Sequence, residues 1–365
     1  MTPWKVPYTA FRQQAAEIKE ELMTAVEQVL DGGRYILGPE VTAFEKEFAE
    51  YCGAPRAVSV GTGTCALHLV LRDLGLRADD EVITAPNSFV ASAAAIALAG
   101  VRPVFADIGA DLNIDPAKME AAITPRTKAL VPVHLTGRPA RMKEILKIAE
   151  RHKLFVLEDA AQAVGAKLDG KRVGSWGHAA AFSLHPLKNL YAIGDGGIVT
   201  GKDLDRLMLT RNHGLRTRDR CEYFSFNSRL DELQAAMLRV QLRHLERRTE
   251  ARRQLAFRYN ELLRPYVTVP DEGPGEHCVY QTYVVQADRR DELQKHLVDH
   301  GIEALVHYPT PIHLQPAAQH LGYKAGDFSM TMKAAARIMS LPLFPSMTHE
   351  QQDYVAETIQ KFYAR

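Results

Sequence analysis

Cysteine is scarce in this 365-residue sequence, and the four present, Cys52, Cys65, Cys221 and Cys278, lie far apart. With no C-x-x-C pair, neither a zinc site nor a disulfide framework is indicated, so reduced thiols and no bound metal are expected. Excess charge is missing as well: 45 Lys and Arg oppose 44 Asp and Glu, a formal net charge of +1. Such a balance offers no broad basic surface for nucleic acid and no acidic, solvating tail. Glu246 interrupts the basic run 243–248, which reads as a solvated helix face. Long apolar runs are absent. The most apolar stretch, residues 91–104, contains Arg and Pro and is too short to span a bilayer. The opening MTPWKVPYTAFRQQ lacks the apolar segment of a signal peptide. No membrane association and a cytoplasmic location are therefore expected. What remains, 46% hydrophobic and 24% charged, is an ordinary globular composition able to bury one large core or two modest ones.

Short β-branched runs alternate with helical stretches through the first two thirds of the chain. Strands are expected at 57–60, 81–84, 102–107, 128–134 and 154–157, with helices at 64–74, 90–99, 116–123 and 142–152. Such alternation indicates an α/β fold with a mainly parallel sheet covered on both faces. After Phe182 the pattern changes: the glycine-rich turn 194–197 precedes a strand at 198–200. Residues 231–263 contain neither Pro nor Gly and carry helical periodicity. Beyond them a strand at 279–286 and helices at 291–300 and 347–363 are expected. The domain boundary falls near 245, giving a large domain over 1–245 and a small one over 246–365.

Three places along this α/β pattern invite chemistry. Gly61-Thr62-Gly63-Thr64 follows a strand and opens a helix, where unobstructed backbone N–H groups suit a phosphate. It also fits the dinucleotide fingerprint G-x-G-x-x-A, although Asp79–Glu81 precede their strand, whereas a ribose-binding acid belongs at a strand's far end. A turn that binds nothing is the bland alternative. Next, the strand 154–157 runs into Glu158-Asp159-Ala160-Ala161-Gln162. An acid at a strand's carboxyl end can keep a heterocyclic nitrogen protonated, or merely cap the next helix. Finally, Lys188 lies between an apolar strand and the 194–197 turn. A partly desolvated lysine there becomes a nucleophile toward aldehydes, while Ser183 offers a hydroxyl to a phosphate and His185 sits between them. A phosphate cup, a strand-end acid and a lysine, in this order, match the phosphate, ring nitrogen and aldehyde of pyridoxal 5′-phosphate.

The motifs EDAAQA, SLHPLKNL with GDGG, FNSRLDELQAA and HYPTPIHLQP resemble the DegT/DnrJ/EryC1/StrS sugar aminotransferases, a branch of the fold-type I pyridoxal-phosphate enzymes. The likeness runs from about Tyr35 to Pro342 and implies a large cofactor-binding domain plus a smaller C-terminal α+β domain. It further implies that Lys188 holds the cofactor's aldehyde and shuttles protons. Asp159 would pair with the ring nitrogen and Gln162 with the phenolic oxygen. Gly63, Thr64 and Ser183 would hold the phosphate, and Phe89 would stack on the ring; without the family Phe89 reads as core. Asn227 matches a residue that reaches the phosphate from a neighbouring subunit, which implies a homodimer with shared sites. His185, Arg229, Tyr308 and His313 would lie toward the sugar. By the same resemblance L-glutamate donates the amino group and a nucleotide-linked keto-sugar receives it. The HP-x-K and GDGG runs look more like enzymes acting at C3 than like those acting at C4, which carry GEGG. Cys65 and Phe226 depart from the residues usual in the family. The alternatives are a nicotinamide-dependent oxidoreductase, which leaves Lys188 and Asp159 unused, and a non-catalytic regulator that binds pyridoxal phosphate.

Overall fold

A computed structural model of the protein describes residues 4–364. Its central sheet has seven strands: β1 (Arg56–Val60), β2 (Glu81–Thr84), β3 (Arg102–Phe105), β4 (Thr127–Val131), β5 (Phe155–Asp159), β6 (Ala179–Ser183) and β7 (Gly197–Gly201). In space they lie in the order β1-β7-β6-β5-β4-β2-β3. Strands β2 to β6 pair in parallel, whereas β7 runs antiparallel to both β6 and β1. The connection explains the exception. Residues 184–196 form no crossover helix to carry the chain back over the sheet, so β7 returns beside β6 in the opposite sense. That connection holds Lys188.

Successive side chains of each strand enter different cores, as the two-residue period requires. Leu157, Ala181 and Val199 face one core, with helices α3 (Gly63–Asp73) and α4 (Ala91–Leu98) over it. On the other face Ile83, Leu130 and Val156 pack beneath α5 (Met142–His152), and Phe182 and Ile198 pack beneath α2 (Pro39–Cys52). Burial on both sides is why these strands read as continuous apolar runs. Every strand except β7 ends on the same edge, which is where open α/β sheets place their ligands.

The helix α6 (Glu232–Leu263) leaves this body unbroken. Its first half contributes Leu238 and Leu245 to the sheet's core. Its second half contributes Leu255, Tyr259 and Leu263 to a separate core, shared with Val6, Ala10, the antiparallel pair β8 (Tyr283–Gln286) and β9 (Ile338–Leu341), and α9 (His349–Tyr363).

Most elements fall within a few residues of expectation, and the differences have local causes. The strand expected from 279 begins only at Tyr283, because Tyr280 takes a positive φ of 48° and the Val279 N–H is drawn to the Gly137 carbonyl. Helices α1 (Lys19–Gly32) and α2, and strand β9, were not anticipated. No side chain next to Gly38 caps α2. Instead the distant Glu232 accepts the Gly38 N–H at 2.7 Å and also that of Glu40. The basic run 243–248 is only half solvated: Arg243 and Arg247 pair with Glu21 and Glu17, but Leu245 and Arg248 are buried.

Candidate active site

At the carboxyl edge of the sheet lies a cavity of about 430 Å³. Its floor is set by the backbone. Thr62 caps α3, its hydroxyl accepting the Cys65 N–H at 3.0 Å. The next amides, of Gly63 and Thr64, open the helix and have no partner within it. A Cβ on Gly63 would come within 2.6 Å of the Ser183 Cβ, and one on Gly197 within 2.2 Å of the Thr62 carbonyl oxygen. Only glycine lets the ends of β1, β6 and β7 close to this distance. Two helix-terminal amides and the Ser183 hydroxyl thereby converge on one wall.

Asp159 ends β5 and is 3% exposed. Its carboxylate accepts the Ser92 hydroxyl at 2.7 Å and the Ala161 N–H at 3.2 Å. Burial pushes this carboxyl above its usual range, against the bonds from Ser92 and Ala161 and the Lys188 charge. Lys188 faces the same cavity, and burial pulls its ammonium below the ordinary value while Asp159 pulls it back up. Both groups are therefore disfavoured as ions by their surroundings. A cationic ring nitrogen against Asp159 and a carbonyl carbon against Lys188 would satisfy both.

Gln162 is held from two sides: its Oε1 accepts the Thr136 N–H at 2.8 Å and its amide donates to the Tyr308 hydroxyl at 3.4 Å. Burial pushes that hydroxyl up to about 12. Phe89 is 52% exposed, so it is not core; it lines the cavity and tilts against Tyr308 with ring centroids 5.5 Å apart. His185 lines the cavity too.

Three anticipated residues lie elsewhere. Asn227 is exposed, in a bridge with Asn212, and Arg229 donates to the Asn212 side chain at 3.1 Å. Neither lines the cavity of its own chain. His313 is 2% exposed, edge-on to Phe328, and also outside the cavity lining. Conversely, Tyr8, Ser92, Gln281, Thr282 and His307 line the cavity without having been singled out. His307 had a signal, standing inside HYPTPIHLQP; its Nδ1 is 2.9 Å from the Ser340 hydroxyl. The others come from segments with no motif.

Residues 16–360 match the DegT/DnrJ/EryC1/StrS aminotransferase family. The chain belongs to this family. A pleiotropic regulatory protein of Geobacillus stearothermophilus is 44% identical to it, with 98% of each chain covered. The dTDP-3-amino-3,4,6-trideoxy-alpha-D-glucose transaminase of Streptomyces venezuelae is 41% identical, covering 99% of this chain and 97% of its own. The crystal structure of S. venezuelae DesV in complex with a ketimine intermediate superposes with a TM-score of 0.96, at 42% identity over the whole of both chains. The fold is thus that of an aminotransferase of this family, and the cavity's residues fit pyridoxal phosphate. Gly63, Thr64 and Ser183 would hold the phosphate, Asp159 the ring nitrogen, Gln162 the phenolic oxygen and Lys188 the aldehyde carbon. Among the described residues no helix is long and apolar enough to cross a membrane.

Proposed function

We propose that this family member is a pyridoxal-phosphate-dependent aminotransferase that moves an amino group from L-glutamate to C3 of a nucleotide-linked 3-keto-sugar. The observation that carries the proposal is the pairing, in one cavity, of a desolvated Lys188 with the buried strand-end carboxylate of Asp159. The cofactor supplies an electron sink that lets the donor's Cα–H bond break heterolytically. Lys188 would take the Cα proton as a neutral amine, the form that burial favours, and deliver it to the far side of the new carbon–nitrogen bond. Asp159, kept charged by an adjacent cation, holds the ring-nitrogen proton in place. Gln162, fixed by Thr136 and Tyr308, would orient the phenolic side, and Phe89 would cover the ring. In the second half-reaction Lys188 would move a proton in the opposite sense while the keto-sugar exchanges its carbonyl oxygen, released as water, for nitrogen.

The preference for C3 rests on the HP-x-K and GDGG runs and agrees with the 3-amino product named for the Streptomyces relative. The Geobacillus relative is named for regulation; Lys188, Asp159 and Gln162 would hold the cofactor in a regulator as well, and turnover of a keto-sugar separates the two readings. We further propose a cytoplasmic homodimer in which Asn227 completes the partner's phosphate site and Arg229 contributes on the sugar side, while His313, buried against Phe328, supports the segment that carries Tyr308. The division near 245 is likewise retained, with Val6 and Ala10 crossing to the C-terminal core.

The test is a visible absorption spectrum before and after L-glutamate. A yellow protein that bleaches with glutamate, and a Lys188→Ala variant that does not, are expected. Colour should return with a 3-keto nucleotide sugar faster than with its 4-keto isomer. A protein that pyridoxal phosphate cannot colour would refute the assignment.

A further inference from the structure

Seven arginines lie on α6, and five of them pair with a carboxylate. Arg239 meets Glu40 and Glu47, Arg243 meets Glu21, Arg247 meets Glu17, Arg253 meets Glu272, and Arg258 meets Asp353. Arg248 and Arg252 are the exceptions. They stand four residues apart, on one face of the helix, and among the described residues neither forms an ion pair. Arg248 is 4% exposed; it donates to the Gln241 side chain and the Gln14 carbonyl, and its Nε is buried without a partner. Arg252 donates only through Nη1, to the carbonyls of Leu343 at 2.8 Å and Tyr280 at 3.4 Å. The fork between Nε and Nη2, the edge that grips a carboxylate in two places, is left over.

A buried and a half-buried cation side by side without a carboxylate are costly. Burial pulls the Arg252 guanidinium down to about 10, and Arg248 adds to the effect. The groups set against Arg252 are the phenols of Tyr8 and Tyr191, and burial holds the Tyr8 phenol neutral. Arg252 also lines a narrow crevice with Tyr8, Leu187, Lys188 and Gln281, all four of which line the main cavity as well. The crevice therefore adjoins the cavity along the segment that carries Lys188. Its free space is about 20 Å³, enough for one water-sized group and far too small for a sugar ring.

We propose that Arg252, reinforced by Arg248, binds a carboxylate of the amino-acid donor and sets the donor against Lys188 from the side of the second core. The identity of the donor rests on the function proposed above; the anion site does not. The carbonyls of Leu343 and Tyr280 fix the plane of the guanidinium before the donor arrives, so little side-chain freedom is lost on binding. Selection between the two substrates follows: the acid lodges its carboxylate at the cationic crevice, and the sugar occupies the wider space beside Phe89.

The experiment compares the holoenzyme with its Arg252→Met and Arg252→Lys variants. Calorimetry with glutarate, an unreactive dicarboxylate, reads the anion site, and the glutamate dependence of bleaching reads the donor. Arg252→Met should weaken both by about 10- to 100-fold, the worth of a hydrogen-bonded charge. Arg252→Lys should lie between, because it keeps the charge but loses the fork. The saturating concentration for the nucleotide amino-sugar is the internal reference, and the glutamate value should rise relative to it. If glutarate and glutamate bind as in the wild type, in either variant that keeps the yellow band, the proposal is overturned. Arg252→Lys alone decides the matter if Arg252→Met does not fold. A wild-type enzyme that binds glutarate yet never bleaches with glutamate would contradict the donor and leave the anion site standing.

Discussion

Asp159 and Lys188 disfavour their own charges for the same reason, removal from water, and this gives the cofactor-free protein a distinctive pH response. A carboxyl raised above its unfolded value favours the native state when protonated, so its contribution is lost as pH rises through the folded value. A lysine lowered below its unfolded value acts in the other direction: the contribution is present at high pH and lost as pH falls through the folded value. Near neutrality the apo-enzyme carries both penalties. Apo Asp159→Asn should therefore melt higher than the apo wild type at pH 7, and the gap should close in acid. Thermal melts across pH, with and without pyridoxal phosphate, provide the check, because bound cofactor should reverse the order. In turnover, Lys188→Ala should keep the fold and lose about 10²–10⁴-fold in proton transfer. Recovery by added methylamine, read by stopped flow, would separate loss of the base from loss of structure.

Elements succeed or fail by how they are anchored. Directly beside Asp159, Glu158 has no exposure and accepts the N–H groups of Gly174, Trp176 and Gly177, and the His134 Nε2 lies 3.0 Å from it. The His134 Nδ1 accepts the Ala140 N–H, so the proton sits on Nε2 and points at Glu158. This ties the ends of β4 and β5 to the loop before β6. Glu158→Ala, which strands all four donors, should destabilise the fold by about 3–5 kcal/mol in chemical denaturation. Thr62→Ala at the start of α3 should cost only about 1 kcal/mol in the same assay, with weaker cofactor affinity alongside.

The same distinction governs what could be read from the chain. Local anchors were legible: the glycine turn at 61–64, the acid closing β5, and Lys188 before the 194–197 turn each carry their cause within a few neighbouring residues. Distant anchors were not. Glu232 starting α2, Tyr8 reaching the cavity from the N-terminal segment, and Arg252 lining the adjoining crevice from α6 depend on contacts that no short motif records. Phe89 needed the family to be distinguished from core, and its exposure now gives the physical reason.

At the scale of the whole molecule, a shared active site makes a sharp demand. Lys188→Ala and Asn227→Ala homodimers should each be impaired. Mixed and re-equilibrated, they should regain about a quarter of wild-type turnover, since half the dimers are then hybrid and each hybrid rebuilds one of two sites. Activity that stays at the mean of the two parents would place Asn227 outside the partner's site. Sedimentation at a range of concentrations would show whether a dimer exists at all.

The wall made by Thr62, Gly63 and Ser183 is mostly backbone, with no room for even one added carbon at Gly63 or at Gly197 behind it. Elsewhere the lining is made of side chains, among them Tyr8, Gln281, His307 and Tyr308. The two halves of the cavity thus differ in how they can change over time. Random substitution should be tolerated poorly along the first and far more widely along the second, so a lineage can trade one sugar for another while its cofactor seat stays immovable.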